Sequence, residues 1–305
     1  MFNFCSLYSG STGNCLLVQT DKSNILIDAG VSQKKINEAL GTLNLSLENI
    51  DAILITHEHS DHIQSIGSIS KKYNIPIYSN IETLNNMPKQ KEKIDLLNQK
   101  IFKNNELFEL GDLKILPFSI PHDATNPCGF NIFHEDKKLS IATDIGHMND
   151  DLLNYLQKSN FIMLESNYDP EVLKYGPYPF KLKQRIAGNY GHLSNASAGK
   201  TITKLVPTGL NNVMLGHLSK ENNFPELAYQ TVKEELESHK IKENKDIIIN
   251  VASRNNPSKI IKVWKNGDAH QKQLEKIFQV AFGARPHFFT LLSLWLNSSI
   301  VFTIF

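Results

Sequence analysis

The chain has 305 residues, 41% of them hydrophobic, and 32 Lys+Arg against 31 Asp+Glu give a net charge of +1. That length suits one large α/β domain or two smaller ones, and the balanced charge excludes an all-over basic coat for nucleic acid. Any polyanion must be met by a local patch or by metal. Cys5, Cys15 and Cys128 are odd in number, widely spaced and without a CxxC, which argues against a disulfide framework and predicts reduced thiols.

Met1-Phe2-Asn3-Phe4 has no basic region and no long apolar run, so no signal peptide is expected and the cytoplasm is the expected location. Residues 2–8 and 15–19 predict strands around the turn-rich Ser9-Gly10-Ser11-Thr12-Gly13-Asn14. That loop lacks the Gly-Lys-Ser/Thr of a P-loop, so its expected role is a tight turn, with Asn14 lining a site. Residues 24–30 predict a third strand and 32–41 a helix running from Ser32 to Gly41. A strand at 52–56 is followed by a helix at 63–73, a short strand at 76–78 and a polar stretch at 81–100. Strands are expected near 101–103, 107–110, 113–119, 129–134, 138–143 and 161–165, with a helix at 150–158. Helices at 195–205 and 224–238 and strands at 212–215 and 246–251 complete the series. Two successive halves that mix β-runs with helices predict an α/β fold, an αββα sandwich of two mixed sheets with helices on the outer faces. Residues 1–263 are expected to form that domain and 264–305 an atypical tail. The tail predicts an amphipathic helix at 268–280 and an apolar run at 288–305, at the lower edge of bilayer-spanning length. Asn297-Ser298-Ser299 interrupts that run and argues against membrane contact. The segment is expected to dock on the core, to be disordered, or to stem from an altered reading frame.

The chemistry concentrates in Thr56-His57-Glu58-His59-Ser60-Asp61-His62, directly after the apolar Ala52-Ile53-Leu54-Ile55. Alternate side chains of an extended segment point the same way, so His57 and His59 can share one metal while Asp61 and His62 turn toward a second. A zincin helix would need a second His where Asp61 stands, so that reading fails. A loop of merely exposed histidines is the plain alternative, and three histidines and an aspartate so close behind a buried strand argue against it. His122, Asp144 and His217 each follow another apolar run. Alone, each reads as a cap; together they complete a set. His57, His59 and His122 would hold one metal, Asp61, His62 and His217 the other, with Asp144 between them. Such imidazole and carboxylate ligands suit Zn or Mn, and Fe as well. Two metals so placed can bind one hydroxide and stabilise developing negative charge, a design for hydrolysis.

The run His57-Glu58-His59-Ser60-Asp61-His62 resembles the HxHxDH signature of the metallo-β-lactamase superfamily, with His122, Asp144 and His217 in the order of its remaining ligands. Ser9 to Asn14, Leu164-Glu165-Ser166-Asn167, Gly191-His192-Leu193-Ser194-Asn195 and Gly216-His217-Leu218-Ser219 resemble the bacterial WalJ/YycJ group, over about residues 1–263. The resemblance implies a cytoplasmic exonuclease acting 5′ to 3′ on DNA, linked to mismatch repair, with Asp61 and His192 as catalytic residues. By analogy with the GHxS-like motif of phosphodiesterase relatives, His192 stands outside the metals and touches the scissile phosphate or protonates the leaving oxygen. A simple helix cap is the alternative for His192, and an exchange of roles with His217 is another. Glu165, Ser166 and Asn167 read either as a structural turn or as groups that orient a ligand histidine. Lys181, Lys183 and Arg185, with Lys174 and the aromatic Tyr175, Tyr178 and Phe180, are the expected DNA contact, and no stable protein partner is expected. Two other functions fit the same ligands: a thioester or lactone hydrolase of the glyoxalase II type, and a binding protein with a vestigial metal site.

Overall fold

The computed structural model describes residues 1–265, and Met1–Val263 form one unit. Its first six strands, β1 (Phe2–Tyr8), β2 (Cys15–Thr20), β3 (Asn24–Ile27), β4 (Ala52–Leu54), β5 (Ile77–Ser79) and β6 (Gln99–Ile101), lie in one sheet in that order. The next seven, β7 (Phe108–Leu110), β8 (Leu113–Ser119), β9 (Cys128–His134), β10 (Lys137–Ala142), β11 (Phe161–Glu165), β12 (Asn212–Gly216) and β13 (Ile248–Val251), form the second sheet, also in sequence order. A last strand, β14 (Ile261–Lys262), returns to the first sheet and pairs antiparallel with β1 at Asn3 and Phe4. The helices are α1 (Gln33–Gly41), α2 (Ser60–Ile63), α3 (Ile66–Tyr73), α4 (Ile81–Asn85), α5 (Pro88–Lys91), α6 (Asp150–Leu156), α7 (Pro170–Tyr175), α8 (Phe180–Ile186), α9 (Asn195–Leu205) and α10 (Pro225–Ser238).

The layering follows from the two-residue period of the strands. Ile25, Ile27 and Leu54 join Phe130, Ile141, Phe161 and Met163 in a core between the sheets. Their neighbours Leu26 and Ile53 face the other way, onto Ile36 and Leu40 of α1 and Ile66 and Ile69 of α3. On the second sheet, Ile162, Leu164, Val213 and Leu215 pack outward with Leu152 of α6, Ile202 of α9 and Val232 of α10. Two buried faces per sheet explain why these strands read as nearly continuous apolar runs. The expected αββα sandwich is the observed architecture.

Strand direction places the site. β3 runs parallel to β4, and β10, β11 and β12 run parallel to one another. The carboxyl ends of neighbouring strands therefore open on a common edge, where ligands of open α/β sheets bind.

Several boundaries differ from expectation for local reasons. The strand expected through residue 30 stops at Ile27, because Asp28 takes a left-handed conformation, φ 62°. The helix expected over 63–73 is two helices: Ser65 N donates to Ala29 O and Ser65 Oγ to Val31 O, which diverts the backbone between α2 and α3. α7 and α8 were hidden by the Gly-Pro-Tyr-Pro run at 176–179, which breaks the periodicity. The two-residue β14 is too short to carry a pattern. The three cysteines are free and buried, as expected, and burial pushes the Cys15 and Cys128 thiols well above the ordinary range. No helix among the described residues is long and apolar enough to cross a membrane. The features expected at 268–280 and 288–305 lie outside the described residues.

Candidate metal centre

His57 follows β4 after Ile55 and Thr56, and His59 occupies the N-cap of α2, its carbonyl accepting from His62 N. Asp61 and His62 lie in the single turn of α2. The loop is held from three sides. Asn14 N donates to Asp61 O, Gly30 N to Asn14 O, and Ala29 N to His62 O, each at 2.8 Å. A Cβ on Gly30 would lie 1.6 Å from Asp61 O, so only glycine admits this approach. Asp144 and His217 follow the ends of β10 and β12 and take left-handed backbone, φ 60° and 54°. With Asp28, three strand ends therefore hold a non-glycine residue in the left-handed region, which Asp and His tolerate better than most residues and which turns each side chain into the site.

The structure brings all seven expected ligand residues together. His57, His59 and His122 form one group, and Asp61, His62 and His217 another, with the ligand atoms of each group within 4.8 Å of one another. Asp144 stands between them: Oδ2 is 3.5 Å from His62 Nε2 and Oδ1 is 3.8 Å from His122 Nε2. His59 Nδ1 lies 3.3 Å from His122 Nε2, and Asp61 Oδ2 lies 3.6 Å from both His62 Nε2 and His217 Nε2.

The nitrogen that each imidazole turns to the centre is set by the bond its other nitrogen makes. Carbonyls and carboxylates only accept, so His59 Nε2 donates to Asp123 O at 3.2 Å, His122 Nδ1 to Gly191 O at 3.0 Å and His62 Nδ1 to Asp28 Oδ2 at 2.7 Å. Thr56 Oγ1 gives its proton to Asp28 Oδ2 and so accepts from His57 Nδ1 at 3.0 Å. His217 Nδ1 donates to Glu165 Oε1 at 3.0 Å. Five lone pairs are thereby left facing one space. A Cβ on Gly191 would meet Arg185 O at 2.1 Å, which explains the glycine whose carbonyl holds His122.

A divalent cation fits this space on two independent grounds. His57 Nε2, His217 Nε2 and Asp144 Oδ2 are buried without a hydrogen-bond partner, a costly arrangement unless a metal satisfies them. The carboxylates also draw positive charge into the centre. Burial opposes a charged His62, yet Asp144 and Asp28 hold its imidazole up at about 9. His217 is held well above its ordinary value against the same burial, chiefly by Asp144. Burial, reinforced by His62, pushes His57 well down, while Asp144 stays well below the carboxylate range through His217 and His62 despite its burial.

His192 lies beside these groups, its ring centroid 5.3 Å from those of His122 and His217. Its Nδ1 donates to Glu165 Oε1 at 2.7 Å, and among the described residues its Nε2 makes no hydrogen bond. It has no contact with Asp61, whereas His217 does, so the geometry favours His217 for the second group. Glu165 is fully buried, and its Oε2 accepts from Ile145 N and Leu193 N. Of the two readings of Glu165, the orienting one fits.

Asn14 is buried at the centre, its Nδ2 3.4 Å from Asp61 Oδ2 and 3.1 Å from His62 Nε2. The basic segment is adjacent but less uniform than expected. Lys181 is exposed on α8, Lys183 turns back to Lys174 O, and Arg185 Nε pairs with Asp123 Oδ2 at 2.5 Å. Asp28, Thr56 and Asp123 hold ligand histidines and were missed in the sequence. Asp28 at the end of an apolar strand is the same signal that revealed Asp144.

The metallo-beta-lactamase superfamily model matches residues 8–217. The exodeoxyribonuclease WalJ of Streptococcus pneumoniae is 38% identical over 237 residues, 77% of this chain and 88% of that protein. The exodeoxyribonuclease YycJ of Bacillus anthracis is 35% identical over 235 residues, 77% of this chain and 89% of that protein. The crystal structure of YhfI, a metallo-beta-lactamase fold protein from Bacillus subtilis, superposes with a TM-score of 0.61 at 16% identity, covering 87% of this chain and 100% of its own, a likeness of fold alone. The chain therefore belongs to the metallo-β-lactamase superfamily and, within it, to the group that includes WalJ and YycJ.

Proposed function

We propose that this chain is a metal-dependent DNA exonuclease acting 5′ to 3′, with one divalent ion on His57, His59 and His122 and a second on Asp61, His62 and His217. Asp144 reaches both, and the donor set suits Zn or Mn. When bound, the ions supply Lewis-acid activation of water and neutralise charge on the phosphoryl oxygens. The chain's own residues do the rest. Asp61, partly open to solvent, orients the attacking water and accepts its proton. His192 donates a proton from Nε2 to the departing oxygen, while Glu165 holds the ring by Nδ1. Asn14 Nδ2 donates to Asp61 Oδ2 and supports its orientation. Exposed Lys181, with Tyr175 and Phe180 exposed at 76% and 73%, offers a cation and aromatic faces to unpaired bases.

The single observation that carries this reading is the His192 imidazole, fixed beside the centre with its outer nitrogen free. A thioester leaving group needs no such proton, whereas a sugar alkoxide does. The kinship with proteins named exodeoxyribonuclease supports DNA as the substrate. The test is metal-reconstituted protein on 5′-phosphorylated duplex DNA beside a thioester panel. Rapid thioester turnover with intact DNA would refute the nuclease reading in favour of a glyoxalase II-type hydrolase.

A further inference from the structure

Two openings flank the centre. On the Asp61 side a cleft of about 780 Å³ runs past Glu58 and Gln64 to Met87 and Lys89. On the His192 side lies a smaller cavity of about 380 Å³, lined by His147, His192, Ser194, Ser197, Lys200 and Lys204 among others. Its lining has two lysines and two histidines and no Asp or Glu. Lys200 and Lys204 sit one turn apart on α9, both exposed, and among the described residues neither ammonium has a hydrogen-bond or ion-pair partner. Like charges at this spacing repel. Elsewhere Lys34 and Lys233 each face a glutamate at the same spacing. A cavity whose only charged lining residues are an unrelieved lysine pair suits an anion, and the proposed metal ligands do not use it.

We propose that this cavity seats the 5′-terminal phosphate of the DNA strand being degraded, an assignment that rests on the nuclease reading above. The polarity follows from His192. Its Nδ1 is committed to Glu165, so Nε2 is the proton donor and the leaving oxygen lies on the His192 side. Water's oxygen bonds to phosphorus, the P–O3′ bond breaks, its electron pair stays on O3′, and O3′ takes the His192 proton. The fragment that ends in O3′ thus lies toward the smaller cavity. That space, about 380 Å³ against about 780 Å³ on the Asp61 side, is the smaller of the two and is assigned to the single terminal nucleotide. A nucleotide with O3′ at the centre carries its 5′-phosphate at the far end, where Lys200 and Lys204 neutralise it and the Ser197 hydroxyl, which accepts from Ser194, keeps its own proton to donate. The retained strand lies in the larger cleft on the Asp61 side and leaves the reaction with a new 5′-phosphate. Each cycle therefore regenerates the group that the cavity recognises.

The test compares 3′-labelled oligonucleotides that differ only in a 5′-phosphate or a 5′-hydroxyl, using full-length metal-loaded protein. The expected kcat/KM ratio favours the phosphate about tenfold or more, the scale of one charge-assisted contact. Combining Lys200→Ala with Lys204→Ala brings the ratio close to one at an unchanged melting temperature, and Lys200→Glu lowers it as well. With chelator present, wild-type protein binds the phosphorylated oligonucleotide more tightly than the hydroxyl form, and the double variant binds both alike. DNA degraded equally from both ends, or a preference that survives in the double variant, overturns the cavity assignment and leaves the nuclease. Metal-loaded protein that degrades neither oligonucleotide overturns the nuclease reading, and this assignment with it.

Discussion

Glu165 Oε1 accepts from His192 Nδ1 at 2.7 Å and, with the same oxygen, from His217 Nδ1 at 3.0 Å. One buried carboxylate therefore ties the proposed proton donor to a proposed metal ligand. Its other oxygen takes two backbone amides, so the group is fixed as well as charged. Glu165→Gln replaces one acceptor by an amide donor that must face either two imidazole N–H groups or two backbone N–H groups. The expected result is a loss of about 10–100-fold in activity or metal affinity, as for other groups that orient metal-site histidines. Kinetics on labelled DNA and metal titration by calorimetry would measure it.

His192→Ala separates proton donation from metal binding. The expected outcome is a fall of about 10²–10⁴-fold in kcat, the usual range for general-acid catalysis, with metal content unchanged. His59→Ala and Asp61→Ala are expected to lose metal together with activity. Elemental analysis of the three purified variants decides the matter, and loss of metal in His192→Ala would show that its role is wrongly assigned.

Asp28 was not identified in the sequence as part of the site, yet it accepts from Thr56 N, Thr56 Oγ1 and His62 Nδ1. Asparagine offers one acceptor oxygen for those three donors. Asp28→Asn is expected to weaken metal affinity about 10–100-fold. Competition with a chromogenic chelator measures that loss, and unchanged affinity would remove Asp28 from the account.

The strand-end residues among the proposed ligands were legible because each follows an apolar run, and a polar residue at a buried strand's end has few other reasons to be there. His57, His122, Asp144 and His217 stand out that way, while His59, Asp61 and His62 are legible from their spacing after His57. Asp28 carries the same signal at the end of the strand expected over 24–30, but only the fold sets it beside His62. The left-handed turn that ends β3 has no glycine to announce it. Arg185 illustrates a different limit. It reads as a phosphate-binding cation, and only the fold places Asp123 beside it. The two-sheet layering was visible in the order of elements, two successive halves that each mix β-runs with helices. α7 and α8 were not, because they are short and separated by Gly176 and Pro177.

Lys138 gives a pH signature remote from the metal groups. Burial, and secondarily Lys158, holds its ammonium down at about 8, while its Nζ reaches the Tyr155 and Gln157 carbonyls at the end of α6. A base whose folded pKa is depressed binds fewer protons in the folded than in the unfolded chain between that value and its ordinary one. Stability from this group therefore rises as pH climbs from about 8 toward 10 and is flat below 8. Urea denaturation of wild type and Lys138→Met at pH 7 to 10 isolates the effect. The stability difference should move in favour of wild type only above pH 8, and a difference independent of pH would contradict the burial of this ammonium.

The most direct test of the central claim is the product pattern from end-labelled DNA, with chelator-stripped protein compared before and after reconstitution with Mn or Zn. Stepwise release of 5′-mononucleotides from the 5′ end is expected from the reconstituted protein, none from the stripped protein, and near-complete loss in His192→Ala. DNA left intact by protein that carries its full metal complement would contradict that claim.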